Sequence, residues 1–182
     1  MPSNATLVAQ RLQGDTGALD TLVARCRDRV LSLAFRMLGD ACAAEDARQE
    51  AFLRVYTRLP LYDPAQSFST WLMCLTARVC LNARRDWAAE LRCLEQAAKS
   101  MPPTPTLEEY LYEREPRRTL QRLLMRLPAP QRAAVLLYSY EERPVAEVAR
   151  ALEGPVGTVR TWLYRRCKNL AAGWRSPRKH TS

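Results

Sequence analysis

Apolar residues recur along this chain at intervals of three and four and almost nowhere at intervals of two, which constrains the fold more than any other feature. Between Leu19 and Leu38 the set Leu19, Leu22, Val23, Cys26, Val30, Leu33, Ala34 and Met37 lays a single stripe along a single helix. No run of alternating Val, Ile, Thr and aromatic residues is bounded by an Asn-Gly or Asp-Gly turn, so strand signals are nearly absent. An all-α fold follows.

Punctuation residues divide the pattern. Gly39 supplies a stop for the first long helix and Asp40 an N-cap for the next, which runs to about Leu59 and ends at Pro60. LYDPAQS reads as a loop, and Ser67 or Ser69 can cap a helix through Trp71 to about Trp87. A short helix at Ala5 to Leu12 opens the series. Met101 to Thr106, MPPTPT, holds three prolines that cannot continue a helix and marks a linker. Beyond it, helices are expected at Arg117 to Leu127, Gln131 to Glu142, Val145 to Leu152 and Val156 to about Ala172. In the second of these, Ala134, Leu137 and Tyr138, or else Leu136 and Tyr140, should face inward. The last two helices meet at Glu153-Gly154-Pro155, and the second is rich in arginine, which is a helix-turn-helix pattern.

The expected architecture is two small helical domains joined by a Pro-containing linker. Its boundaries are residues 1–90, a linker at 91–115, a helix-turn-helix unit at 116–175 and a basic tail at 176–182. A chain of 182 residues accommodates two such units, and its 26% charged content is ordinary for a folded protein, which argues against global disorder.

Charge separates along the same lines. Met1 to Arg85 carries 11 basic and 8 acidic residues, and Asp86 to Glu115 carries 3 and 7. Pro116 to Ser182 carries 14 and 4, so the last third supplies the whole net excess of +9. A polyanionic partner, nucleic acid first among them, fits that segment.

Other classes lack their residues. His180 is the only histidine and lies in a polar tail, so no triad, histidine base or histidine metal site can be built around it. The six cysteines form no CxxC pair and read as packing in apolar stripes, and neither GxxxxGKS nor GxGxxG occurs. No metal, cofactor or catalytic residue is expected. No run approaches a membrane span, and the first residues lack the basic start and apolar run of an export signal, so a cytoplasmic protein without membrane insertion is expected.

Three groups of side chains could bind something. On the last helix Thr158, Arg160, Thr161, Tyr164, Arg165 and Lys168 oppose the apolar stripe and could reach base edges and phosphates. On the helix after Asp40, the residues Asp46, Gln49, Glu50 and Leu53 form a polar stripe with one apolar edge, while Ala44, Ala47, Ala51, Phe52 and Val55 face the bundle. An acidic patch would repel DNA, so its partner would be protein, with a solvated face as the plain alternative. Tyr62, Phe68 and Trp71 border the LYDPAQS loop near Arg78, Arg84 and Arg85 and could stack on unpaired bases; for Phe68 and Trp71 packing is favoured, and the arginines are the better DNA candidates.

Longer stretches then resemble a known family. GDACAAEDARQEAFLRVYTRL followed by SFSTWLMCLTARVCLNARR resembles conserved region 2 of bacterial sigma factors. LPAPQRAAVLLYSYEERPVAEVARALEGPVGTVRTWLYRRCKNLA resembles region 4, with little between them, as in the extracytoplasmic-function (ECF) group. The resemblance implies a factor that directs core RNA polymerase to promoter DNA. It implies that Asp46, Gln49, Glu50 and Leu53 dock on the β′ clamp helices and that region 4 meets the β flap. It also implies that Asp63, Gln66, Ser67, Arg78, Arg84 and Arg85 belong to the reader of the -10 element, and that the helix from Val156 reads the -35 element. An anti-sigma protein is a further implied partner.

Some residues depart from the family pattern. The glycine of the turn is displaced by one, giving Leu152-Glu153-Gly154-Pro155, and Arg78 stands where asparagine is common. Cys74 and Trp162 occupy positions where arginine is common, and Arg143 one where leucine is. The rival readings are a free-standing helix-turn-helix repressor, a sigma-like scaffold without DNA recognition, and a cysteine enzyme, which lacks a histidine base.

Overall fold

The computed structural model describes residues 2–95, 116–139 and 142–164, and every regular element among them is helical. The order is α1 (Asn4–Leu12), α2 (Thr16–Leu38), α3 (Ala41–Arg58), a 3-10 turn (Leu59–Leu61), α4 (Phe68–Glu95), α5 (Pro116–Met125), α6 (Ala129–Ser139) and α7 (Val145–Ala151). A last helix, α8, covers 156–164.

Local chemistry sets these limits. The Ser3 hydroxyl, the Asp15 carboxylate and the Asp40 carboxylate each accept backbone N–H groups that the first turns of α1, α2 and α3 leave without intrahelical partners. Gly39 ends α2 at φ 78°, left-handed backbone that favours glycine, and its N–H donates to Phe35 O at 2.8 Å.

α2 forms the axis of the first unit, with α1, α3 and α4 packed around it. Its stripe of Leu22, Val30, Leu33 and Met37 is buried to the last percent, as expected from the spacing. α3 turns Ala44, Ala47, Ala51 and Val55 inward, small side chains that let the helices approach closely, and α4 adds Leu72, Met73 and Cys80. Each fully buried leucine in such a core contributes about 2 kcal/mol.

The second unit is built on α6, which buries every residue from Arg132 to Leu137 against α5, α7, α2 and α4. A helix covered on all sides has no apolar stripe, which is why the spacing left two inward sets open; Tyr138, placed inward by one of them, is 42% exposed. Tyr140 and Glu141 lie outside the described residues. Val148, Ala149 and Ala151 of α7 and Val159 and Leu163 of α8 complete this part of the core.

Two differences from the expected map matter. α4 runs to Glu95 rather than to about Trp87, because Ala88-Ala89-Glu90-Leu91 are strong helix formers and no breaker intervenes. The two units also share one continuous apolar cluster rather than standing apart.

Candidate protein and nucleic-acid interfaces

The outward face of α3 brings together the residues expected there. Asp46 and Gln49 are exposed, Glu50 is half-buried and Leu53 is 64% exposed. The patch is less acidic than its sequence suggests. Arg54 Nε donates to Glu50 Oε1 at 2.6 Å, and Arg48 pairs with Glu45, holding the Glu45 carboxyl below the usual carboxylate range. Asp46 and Glu50 line a shallow cavity of about 300 Å³ closed by Arg54 of α3 and Val79, Asn82 and Ala83 of α4. Tyr56, one turn beyond Leu53, is 59% exposed, with the Arg11 guanidinium 5.3 Å above its ring. Sequence reasoning missed it, although its i+3 spacing from Leu53 was the available signal.

The loop before α4 is built on an aromatic base. Tyr62 and Phe68 are buried, Trp71 is half-buried, and the three rings lie edge-on or tilted with centroids 5.4 to 5.9 Å apart. For Phe68 and Trp71 packing is the role favoured from the sequence, and Tyr62 joins them in it. The Tyr62 hydroxyl donates to Gln66 O, and burial raises its pKa. Asp63 Oδ1 accepts Ala65 N at 2.9 Å, an Asx turn, so the side chains of Asp63, Gln66 and Ser67 are exposed on an ordered loop.

Along α4 the arginines diverge. Arg85 is exposed and Arg84 half-buried. Arg78 instead turns toward the second unit, where Nε donates to Ala151 O at 2.7 Å and Nη2 to Arg150 O at 3.1 Å, with Glu153 Oε1 3.4 Å away. No spacing rule signals a contact across seventy residues.

On α8 the two faces separate as expected. Val159 and Leu163 are buried, whereas Thr158, Arg160 and Thr161 are exposed and Tyr164 is 74% exposed. Thr161 Oγ1 donates to Gly157 O at 2.9 Å. Arg165 and Lys168 lie outside the described residues. The preceding turn accommodates the displaced glycine by placing Glu153 itself in left-handed backbone at φ 53°. Gly154 N then donates to Ala149 O at 3.0 Å, closing the end of α7.

Among the described residues no group of three or more His, Cys, Asp or Glu side chains could hold a metal ion, and no helix is long and apolar enough to cross a membrane. Cys26 and Cys80 are buried, and burial pushes the Cys80 thiol up to about 12, far from the thiolate that nucleophilic chemistry requires.

Comparison with known proteins sets this chain beside sigma factors. The family model for Sigma-70 region 2 matches residues 22–89 and that for Sigma-70, region 4 matches residues 117–170. The ECF RNA polymerase sigma factor SigM of Mycobacterium tuberculosis is 31% identical over 170 residues, covering 93% of this chain and 83% of that protein. This chain belongs to the ECF RNA polymerase sigma factors. SigW of Bacillus subtilis, also an ECF sigma factor, is 29% identical and matches 87% of this chain and 89% of its own length. The fold agrees: RpoE of Bartonella quintana, solved in complex with the anti-sigma factor NepR, superposes with a TM-score of 0.70 at 16% identity, over 87% of this chain and 98% of that one. As a sigma factor the chain directs core polymerase to promoters and assists their opening at initiation, and the repressor and scaffold readings are not favoured. Sigma factors are in general DNA-binding initiation factors rather than enzymes.

Proposed function

We propose a division of labour between the two units. Residues 1–90 bind core polymerase through Asp46, Gln49, Glu50 and Leu53 of α3, which contact the β′ clamp helices. The same unit reads and opens the -10 element through Asp63, Gln66, Ser67, Arg78, Arg84 and Arg85. Residues 116–175 meet the β flap and read the -35 element through Thr158, Arg160, Thr161, Tyr164, Arg165 and Lys168. Residues 91–115 join the two and 176–182 form a basic tail. The factor works in the cytoplasm and is held in check by an anti-sigma protein. It makes and breaks no covalent bond.

The observation that carries this reading is the exposure of Leu53 at 64% beside Asp46 and Gln49, on a helix whose opposite face is fully buried. A large apolar side chain ringed by polar groups suits a protein contact, and acid in that ring steers the face away from DNA. Opening is then a binding process. Unstacking costs about a few kcal/mol per base, and capture of the freed base in the loop region offsets it. Joining two readers raises the effective concentration of the second once the first is engaged.

The test is competition for core polymerase against a labelled sigma factor. Asp46→Ala with Gln49→Ala should weaken binding by about tenfold or more while leaving the helical circular dichroism unchanged. Unchanged competition would remove the assignment, and failure of the unaltered chain to support transcription with core polymerase would remove the whole division.

A further inference from the structure

Helices α1, α2 and α3 each start on a side chain that accepts their first free N–H groups, and α4 does not. Among the described residues nothing accepts the N–H of Phe68, Ser69 or Thr70. The Thr70 hydroxyl, on a residue only 5% exposed, has no hydrogen-bond partner among them either. The start of a long helix presents free donors and the positive end of its dipole, both of which suit an acceptor carrying negative charge.

Thr70 lines a cavity of about 490 Å³ that lies along α4 and is bounded on its other side by Glu147 and Arg150 of α7. Three guanidiniums border this space, Arg58 from the end of α3, Arg78 from α4 and Arg150 from α7, against the one carboxylate of Glu147. The side chains of Arg58 and Arg150 make no hydrogen bond or ion pair with any described residue. Arg78 commits Nε and Nη2 to the second unit and leaves Nη1 without a partner among those residues. Between Thr70 and Arg78, about 12 Å apart along the helix axis, the wall carries Trp71 and Leu75.

The size of the cavity matches a small molecule rather than a lone ion. An inorganic phosphate would leave the aromatic and aliphatic wall uncovered, and an apolar molecule would leave the guanidiniums without a counter-charge. A nucleotide meets both demands, with phosphate oxygens for the guanidinium donors and a planar ring for the wall.

We propose that this cavity is a binding site for a free nucleoside phosphate. Its phosphate oxygens face the guanidiniums, its base lies along Trp71 and Leu75, and the Thr70 hydroxyl hydrogen-bonds to it. With a wall from each unit, the space accepts one nucleotide rather than a strand that continues in both directions. Gln66 lines the same cavity, and Gln66 and Arg78 both belong to the proposed -10 reader, so an occupant withholds them from DNA. That consequence rests on the assignment of the reader; the site itself does not.

The experiment is calorimetric titration of the full chain with ADP in magnesium-free buffer. ADP should bind one to one with a Kd of about 100 µM or tighter, whereas adenosine and pyrophosphate should each bind at least about tenfold more weakly. Arg150→Ala, at an exposed position, should weaken ADP binding by about tenfold. Thr70→Val deletes an unpartnered hydroxyl, and should weaken it by about threefold to tenfold with no loss of thermal stability. Arg126→Ala, exposed on the second unit outside the cavity, should change it by less than about twofold. No binding at about 1 mM ADP, or equal binding by all three variants, would overturn the site. Adenosine or pyrophosphate binding as tightly as ADP would overturn the nucleotide as its occupant.

A fluorescein-labelled oligothymidine separates the free nucleotide from a DNA strand and tests the consequence. Saturating ADP should weaken oligothymidine binding severalfold in the unaltered chain and have no effect at the same concentration in Arg150→Ala. If ADP binds as described but leaves oligothymidine untouched, the site stands and the assignment of Gln66 and Arg78 to the -10 reader is overturned. Oligothymidine affinity that falls with Arg150→Ala and Thr70→Val as steeply as ADP affinity does would overturn a free nucleotide as the occupant.

Discussion

Among the described residues an arginine from each unit reaches across to the other, and the two contacts are built on opposite principles. At one, Arg132 of α6 is 1% exposed and donates to Leu124, Met125 and Leu127 O of its own unit and to Met37 O at the end of α2. Gly39 meets the Met125 side chain there, and Gln121 Nε2 donates to Phe35 O at 3.0 Å. At the other, Arg78 is 38% exposed and faces a wide cavity. Both arginines gather carbonyls at helix ends. One does so with its side chain buried, and the other at a surface where water can replace every bond. Burial pushes the Arg132 pKa down to about 10, helped by the charge of Arg84, so it stays cationic at neutral pH with no carboxylate partner among its hydrogen bonds. The contrast teaches that the buried junction decides whether the units adhere, while the wet one decides which groups that adhesion hides.

Three substitutions sharpen or break this contrast. Arg132→Met keeps the apolar stem but removes the donors to four carbonyls, and should lower unfolding stability by about 3 kcal/mol in urea titration. A loss below about 1 kcal/mol would mean that water enters this junction too and that the two are alike. Gly39→Ala forces a side chain into left-handed backbone and sets its Cβ within 2.8 Å of the Met125 thioether. Because that neighbour is flexible, most of the expected loss of about 1 to 2 kcal/mol comes from the backbone. Glu153→Gly acts in the opposite direction at the wet junction. Removing a side chain from φ 53° should raise stability by about 0.5 to 1 kcal/mol while the ion pair, exposed and weak, is lost. Thermal melting should therefore rise although a contact between the units is lost, a divergence that the buried junction would never show.

Much of the fold is written in short-range signals. The α2 stripe, the Gly39 stop and the Asp40 cap are each decided by residues within a turn or two, and the structure has them where the spacing implies. The same holds for the shared face of Asp46, Gln49 and Leu53 and for the two faces of α8. What was not legible depends on distant chain. Nothing near Arg132 reveals that its guanidinium closes α2, and nothing near Arg78 reveals that α7 lies beside it. Tyr138 escaped because a helix buried on every side has no period to read. Glu153 was visible as a misplaced glycine, but its partner was not.

The loop from Asp63 to Ser67 is strapped at its base by Tyr62 and Phe68, with the Tyr62 hydroxyl tied to Gln66 O. Its exposed letters can thus be rewritten one at a time while the stem keeps its shape.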